Sequence, residues 1–278
     1  MFQHFVITRF NLRKKDWQTS KNKTPVLTDA WMEGRLELFE HYCFNSLKAQ
    51  TKQNFLWLVF FDTSTADKFR LVIDRLAQEF SAFTPIYIDG MDQFLPSAQA
   101  QLQARLTQPY IITSRLDNDD SLHQDYIKEV QSHFSSQDFM AVDFVDGYTL
   151  QVESPVRLAK RSHVHNPFLS LIECGPNPKS VWHIERHGQW SKVEKLIPVR
   201  NKLMWMSVIH SENKVNEFLG YDKVQWETIK GFNLNGTVLA ILARTVMPFN
   251  SWKQESLKNK IKTMWKVNFK LLKRTLIR

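Results

Sequence analysis

Residues 110–120 read YIITSRLDNDD, an apolar run that ends in three carboxylates at Asp117, Asp119 and Asp120. Unpaired carboxylates this close to one another repel, so each is harder to ionise than an isolated acid. Such a cluster usually persists because a cation neutralises it, and oxygen ligands of this kind suit a divalent ion. The stretch therefore predicts a strand that leads directly into a cation-binding turn.

A simpler role for the three acids stays open, because carboxylates also favour the first turn of a helix. On that interpretation Asp120 or Ser121 is only a helix cap. The position of the cluster at a strand end, beside Arg115, favours the ligand-binding role.

Strand and helix patterns alternate through the first half of the chain. Apolar runs predict four strands, and between them apolar residues recur every three or four positions, as in helices. The predicted strands are His4–Thr8, Phe55–Phe61, Pro85–Ile88 and a fourth that begins at Tyr110. This alternation is typical of a parallel, doubly wound sheet, which binds ligands at the carboxyl ends of its strands.

The pattern changes after the acidic cluster. Apolar positions from Leu122 to Phe134 predict a helix, and residues 139–152 with the turn-like pair Asp146-Gly147 predict an antiparallel hairpin. The stretch from Arg157 to Pro198 is rich in His, Pro and Trp and has no clear periodicity, as expected of loops that bind an acceptor.

The charge of the chain is concentrated at its C-terminus. Residues 252–278 hold nine Lys or Arg against the single acid Glu255, which accounts for +8 of the net +9 of the 278 residues. Cys43 and Cys174 are the two cysteines, too few for a disulfide framework, so we expect a reducing cytoplasm. The N-terminus resembles neither a signal peptide nor a membrane anchor.

The basic tail also predicts an amphipathic helix, because its apolar and basic positions fall mostly on different faces. The apolar positions are Leu257, Ile261, Met264, Trp265, Leu272 and Leu276, and the basic ones are Lys258, Lys262, Lys266, Lys270 and Lys273. Such helices lie on anionic membranes. The alternatives are a helix that packs on the domain by its apolar stripe, or a nucleic-acid contact.

Several segments together resemble glycosyltransferases of the GT-A fold, and more narrowly a bacterial group of rhamnosyl transferases. They are HFVITRFN (4–11), RLELFEHYC (35–43), FLWLVFFD (55–62), SRLDNDD (114–120) and MWMSVIHSEN (204–213). The resemblance implies an α/β GT-A domain over residues 1–250, with a mostly parallel, Rossmann-like sheet and antiparallel additions. The basic amphipathic helix of residues 251–278 follows as a membrane-surface anchor.

The resemblance also implies a nucleotide-sugar site on the first four strands. Asp117 and Asp119 would hold a divalent metal, Mn²⁺ or Mg²⁺, and Asp120 and His210 could join them. His210 could instead be a hydrogen-bonded core residue. Further candidate contacts to the nucleotide or its diphosphate are Arg9, Asp62, Arg105 and Arg115, together with Asp117.

A rhamnose donor would react with inversion, as the resemblance implies, so one carboxylate should deprotonate the acceptor hydroxyl. Glu185 is the first candidate and Glu173 the second, although Glu185 could equally form a surface pair with Arg186. The expected protein is a cytoplasmic enzyme on the inner face of the plasma membrane. It would transfer a sugar from a nucleotide diphosphate to a cell-surface glycan or lipid-linked acceptor.

Two other functions remain possible from the sequence. Clustered Asp residues at strand ends also serve metal-dependent phosphoryl hydrolases and nucleotidyltransferases. A basic nucleic-acid-binding α/β protein is a further alternative, but the charge is not accompanied by a nucleic-acid-reading motif.

Overall fold

The computed structural model of the chain contains one mixed sheet. It describes residues 1–15, 19, 25–213 and 217–277, and residues 276 and 277 are described without their side chains. The strand order is β3-β2-β1-β4-β8-β6-β9-β5, and β7 pairs with β6. The strands are β1 (Phe2–Arg9), β2 (Leu56–Asp62), β3 (Phe83–Ile88), β4 (Tyr110–Arg115), β5 (Ser121–Leu122), β6 (Phe139–Gln151), β7 (Arg157–Ser162), β8 (Ser170–Cys174) and β9 (Leu196–Ile209).

Helices pack on both faces of this sheet. They are α1 (Asp29–Leu38), α2 (Asn45–Lys48), α3 (Asp67–Glu79), α4 (Phe94–Arg105), α5 (Tyr126–Gln131), α6 (Gly236–Thr245) and α7 (Lys253–Ile277). One π-helical segment, Phe39–Phe44, joins α1 to α2, so the predicted helix over these residues is continuous.

The four predicted parallel strands are confirmed, because β1 pairs in parallel with β2 and β4, and β2 with β3. Their apolar runs lack alternation since both faces are buried. Val59 and Phe61 point toward the core under α1 and α3, whereas Leu58 and Phe60 point toward the core under α4. A parallel sheet covered on both faces requires this pattern.

Antiparallel additions are also confirmed, but the predicted hairpin at Asp146-Gly147 is wrong. Both residues lie inside the 13-residue strand β6, which runs parallel to β9 through two register shifts around Asp146. Asp146 accepts hydrogen bonds from Ser162 Oγ at 2.6 Å and Arg200 Nε at 2.9 Å. The polar pair therefore marks an irregularity within a strand rather than a turn.

Two neighbouring predictions are revised as well. The helix predicted from Leu122 to Phe134 is shorter, since Leu122 belongs to β5 and the helix spans Tyr126–Gln131. The unassigned stretch contains β7, β8 and two 3₁₀-helices, Val181–His183 and His187–Lys192.

The two cysteines occupy opposite environments. Cys43 is buried under the acidic loop, with Sγ 3.7 Å from the Asp117 carbonyl oxygen. Cys174 is exposed at the end of β8, where it pairs with Tyr110 at the start of β4. Both are free thiols.

The C-terminal helix α7 rests on the sheet domain by a seam of apolar and polar residues. Trp252, Ser256 and Val267 are buried, and Ser256 Oγ accepts a hydrogen bond from the Asp222 N–H at 2.9 Å. Arg157 pairs with Glu255 at 2.9 Å. Among the described residues, none of the helices has the length and apolar content needed to cross a membrane.

We expect Gly147→Ala to lower the free energy of unfolding by about 1–3 kcal/mol, because the added methyl group overpacks the core. An ideal Cβ at this position would lie 2.4 Å from Trp205 Cδ2 and from the Trp205 carbonyl oxygen. Gly236→Ala is the control, since no described atom lies within 4 Å of its Cβ position. Urea denaturation measures both, and equal midpoints for wild type and Gly147→Ala would contradict the prediction.

Candidate functional site

A cavity of about 400 Å³ lies at the edge of the sheet where β1 and β4 end. The end of β1, helix α1, the loop after β4 and the segment after β9 each contribute side chains to it. The charged and amide residues among them are Arg9, Lys14, Arg35, Asp117, Asn118, Asp119, Glu185, Glu212 and Asn213. We call this cavity the crevice. It lies at the strand ends at which a parallel sheet binds its ligands.

Asp119 is held at the centre of the crevice by three side chains that contact one of its oxygens. Arg35 Nη1 donates to Asp119 Oδ2 at 2.7 Å, and Asn213 Nδ2 donates to it at 3.2 Å. His210 Nε2 lies 2.9 Å from the same oxygen. Burial alone would raise the pKa of Asp119, but the Arg35 charge and the His210 contacts outweigh it and lower the pKa to about 2.

Arg35 is therefore a site residue that sequence reasoning missed. It lies on the buried face of α1 between Met32 and Leu36 and is 5% exposed. An arginine within an apolar helical stripe was the available signal, because a buried cation needs an anionic partner. Asn213, which also donates to the His210–Asp119 group, gave no comparable signal.

A second group of residues adjoins the crevice, because Arg9, which lines it, and the buried Arg115 both stack on the buried Trp182. Their guanidinium carbons lie 4.1 Å and 3.9 Å from the ring centroids of this indole. Burial, followed by the charge of Arg115, lowers the pKa of Arg9 to about 10. Burial also lowers the pKa of Arg115. Two cations held this close indicate a place for an anion.

The same region positions Asp117 and Glu185. Arg115 Nη1 donates to the Glu185 carbonyl oxygen at 2.9 Å, and its Nη2 lies 3.7 Å from Asp117 Oδ1. Glu185 is exposed and lines the crevice together with Asp117. Trp182 and Glu185 both come from the stretch that has no sequence periodicity, which is why Trp182 was missed.

Asp120 is directed beneath the crevice toward β9. It is 1% exposed, and its Oδ1 accepts a hydrogen bond from the Val208 N–H at 2.8 Å. Burial and the charges of Asp119 and Asp117 raise its pKa well above the ordinary range. Asp120 therefore connects the acidic loop to β9 as a buried acid.

Two predicted site residues lie at the opposite edge of the sheet. Arg105 ends α4, where its carbonyl oxygen accepts a hydrogen bond from Gln3 Nε2 at 2.8 Å, near the start of β1. Glu173 pairs with Ile111 in the first half of β4, and its carboxylate accepts from the N–H groups of Lys179 and Ser180. The structure therefore does not bring Arg105, the predicted nucleotide contact, or Glu173, the second candidate base, to the crevice.

Asp62 ends β2 as predicted, but its carboxylate already accepts hydrogen bonds from other residues of the chain. It accepts hydrogen bonds from the backbone N–H and Nε of Arg13, at 3.0 Å and 2.8 Å, and from Ser64. These bonds hold the pKa of Asp62 below its ordinary value, although burial opposes the shift. In this arrangement Asp62 fixes the loop after β1.

The side chains of the crevice do not fit a metal ion as they are placed. A divalent ion needs several unprotonated donors that converge on one point. Within the described residues, groups of three or more His, Cys, Asp or Glu with such a geometry are absent. Of the predicted ligands, Asp120 is turned toward β9, and Asp119 and His210 contact each other. Arg35 supplies the positive charge beside Asp119.

We expect Arg35→Met to lower the free energy of unfolding by about 3–5 kcal/mol at neutral pH, because it leaves the buried Asp119 carboxylate without its cation. The folded-state pKa of Asp119 lies below its unfolded value, so its ionised form adds stability above about pH 4. This contribution is lost as the pH falls toward 2. The difference between wild type and variant should therefore shrink over the same range.

Arg75→Met is the matched control, because Arg75 pairs with Glu40 at 2.8 Å on the surface, where its side chain is 53% exposed. We expect it to cost at most about 1 kcal/mol. Equal effects of the two substitutions in denaturant titrations at pH 7 would contradict the role given to Arg35.

Two solved structures are similar to this chain at low identity. Residues 1–349 of TarS from S. aureus match with a TM-score of 0.42 and 10% identity over 74% of this chain and 60% of that chain. The mannosyltransferase PcManGT from Pyrobaculum calidifontis, in complex with GDP-Man and Mn²⁺, matches with a TM-score of 0.42 and 10% identity. That match covers 95% of this chain and 87% of the mannosyltransferase. The chain thus spans less than two thirds of the TarS fragment.

No curated protein matches the chain in sequence. A family described as "Putative rhamnosyl transferase" matches residues 3–221, which include the crevice and the adjoining Arg115 and Trp182. The match extends over most of the 278 residues. The chain therefore belongs to this rhamnosyl transferase family.

Proposed function

We propose that the protein is a glycosyltransferase that moves a sugar from a nucleotide-diphosphate donor to a cell-surface glycan or a lipid-linked acceptor. The observation that carries this proposal is the crevice lined by Arg9, Asp117 and Asp119, against which Arg9 and Arg115 stack on Trp182. Membership of the rhamnosyl transferase family supports it, and rhamnose is the donor sugar that the family name suggests.

The two stacked arginines would bind the donor diphosphate. Their positive charges are partly desolvated, as the lowered pKa of Arg9 indicates. An anion bound between or beside them would therefore offset the free-energy cost of removing these charges from water. The indole of Trp182 keeps the guanidinium planes in place, because its N–H donates to the Ile7 carbonyl oxygen at 3.2 Å. Preorganised donors of this kind stabilise the charge that develops on a leaving diphosphate.

Glu185 is the carboxylate that we propose as the base. Its side chain is exposed at the crevice, and its backbone carbonyl oxygen accepts a hydrogen bond from Arg115. In an inverting transfer, it would accept the proton of the acceptor hydroxyl while the sugar leaves the diphosphate. Asp119 would position the crevice, because Arg35, His210 and Asn213 hold its carboxylate in one orientation.

A divalent metal, Mn²⁺ or Mg²⁺, remains a prediction from the acidic motif and the resemblance. When bound, it would neutralise charge on the diphosphate. In this structure Asp119 Oδ2 instead accepts a hydrogen bond from Arg35 Nη1. A chelator arm belongs in every binding experiment.

We expect Glu185→Gln to lower the turnover of a nucleotide-sugar by about 100-fold or more and to leave its affinity unchanged, because the variant loses the base and keeps the arginines. A thermal-shift screen of nucleotide-sugars, with Mn²⁺ and with chelator, identifies the donor, since a ligand of the folded state raises the melting temperature. Glu173→Gln is the control, at the far edge of the sheet. The proposal fails if none of the donors raises the melting temperature.

We further propose that α7 holds the enzyme on the cytoplasmic face of an anionic membrane. Its large apolar residues are exposed opposite the buried seam, at a spacing of about one helical turn. They are Leu257 (59%), Ile261 (64%), Trp265 (67%), Phe269 (55%) and Leu272 (60%), and we call them the apolar strip. The side chain of Leu276 lies outside the described residues.

The packing of α7 distinguishes this proposal from its main alternative. A helix that uses its apolar stripe to pack on the domain would bury that stripe, whereas here Trp265 and Phe269 stack on each other in the open, 5.5 Å apart. Lys258, Lys262 and Lys266 are exposed on the same helix. Exposed apolar residues flanked by lysines suit a lipid surface with anionic headgroups.

We expect the double substitution Trp265→Ser and Phe269→Ser to weaken binding to anionic liposomes by about tenfold or more, because it removes apolar area that would enter the lipid boundary. Leu71→Ser is the control, since Leu71 is 72% exposed on α3, away from the strip. Liposome co-sedimentation measures both variants. Unchanged sedimentation of the double variant would remove the membrane role from the strip.

A further inference from the structure

A second cavity, of about 310 Å³, lies between α7 and the segment that precedes β9. Four cationic residues line it, Lys192, Lys270, Lys273 and Arg274, with Glu194 as the acid among the described lining residues. The crevice and this cavity share none of their described lining residues. We call it the helix cavity.

His165 projects into the helix cavity from a constrained backbone. Its φ angle is +59°, and its N–H donates to Asp143 Oδ2 at 2.6 Å. Its carbonyl oxygen lies 2.6 Å from His187 Nδ1. These two contacts hold the backbone in a conformation that a non-glycine residue rarely adopts. The backbone at His165 is thereby held on both sides.

The imidazole of His165 lacks any internal partner. The residue is 3% exposed, and neither Nδ1 nor Nε2 has a hydrogen-bond partner within residues 1–15, 25–213 and 217–277. Burying a polar group without a partner is unfavourable, so such groups are rare in native proteins. A ligand in the adjoining cavity would remove this cost.

The positive charge of the cavity is not neutralised by the nearest buried acid. Asp143 is fully buried and accepts hydrogen bonds from His165 and Asn166, and burial raises its pKa to about 7. Lys270 Nζ donates to the Val164 carbonyl oxygen at 3.2 Å, and burial lowers its pKa. Arg274 donates to the Leu196 carbonyl oxygen at 2.9 Å. Lys270 is thus hydrogen-bonded to a neutral carbonyl group, which leaves its charge available to an anion.

We propose that the helix cavity is a binding site for a phosphate group, with His165, Lys270, Lys273 and Arg274 as its ligands. A tetrahedral phosphate has acceptor oxygens in several directions, which matches donors that come from two different segments of the chain. A planar carboxylate would satisfy fewer of them. The phosphate could belong to a lipid headgroup, since α7 also carries the apolar strip, or to a soluble phosphate ester. This site does not depend on the proposed sugar transfer.

The direct test is NMR of the labelled His165 imidazole in the full-length protein, titrated with inorganic phosphate and diphosphate. Bound phosphate should shift the His165 resonances and raise its pKa, which burial and the charges of Lys270, Arg274 and His187 lower to about 4 in the free protein. Asp143, Lys192 and Glu194 also face this group, and because the pKa of Asp143 is about 7, the titrations with and without phosphate are compared over the same pH range. Absence of any phosphate-dependent shift would overturn the proposal.

Calorimetry with inorganic diphosphate provides the second test. The double variant Lys192→Gln and Lys273→Gln removes two exposed cations of the cavity and should weaken binding about tenfold or more. The double variant Lys258→Gln and Lys262→Gln is the control. It removes the same number of charges from exposed positions of α7 that do not line the helix cavity. Binding that the cavity variant and the control weaken equally would contradict a specific site.

Two further arms separate the source of the phosphate and the location of the site. Vesicles of phosphatidylcholine with phosphatidic acid should shift His165 at a lower phosphate concentration than soluble phosphate does if the natural ligand is a headgroup, and at an equal or higher concentration if it is an ester in solution. Arg9→Gln should leave the His165 response intact, because Arg9 lies in the crevice. Loss of the response in Arg9→Gln would assign phosphate binding to the crevice and refute the helix cavity.

Discussion

The buried contact between Arg35 and Asp119 joins three distant parts of the chain. Arg35 comes from α1, Asp119 from the loop after β4, and His210 and Asn213 from the segment after β9. A carboxylate with this little exposure is ionised because a cation touches it. The parallel half, the antiparallel half and the first helix are thus connected at one oxygen atom, around which the crevice is arranged.

The parallel half of the fold could be predicted because its strands are buried on both faces and end in polar residues. The antiparallel half could not be predicted as well. Asp146 and Gly147 look like a turn locally, yet Gly147 is required by the close approach of Trp205 within a long strand. Contacts over such distances in sequence have no local signature. The helix α7 was predicted, but its buried seam is more polar than its exposed strip.

The candidate site was predictable only where chemistry coincided with a strand end. Arg9, Asp117 and Asp119 fall there and line the crevice, and Glu185 reaches it from another segment. Arg105 was misplaced because a helix before a strand ends at the opposite edge of a parallel sheet. The partners of Asp119, and the indole on which the arginines stack, depend on tertiary packing that local periodicity does not encode.

The contrast between the two thiols has a practical consequence. Burial, followed by the charges of Asp119, Asp120 and Asp117, raises the pKa of Cys43 far above that of an exposed thiol, which keeps it in the unreactive form. Cys174 is exposed at the edge of the sheet opposite the crevice. The native chain thus carries one accessible attachment point for a maleimide dye, remote from the crevice, and needs no engineered cysteine for single-molecule work.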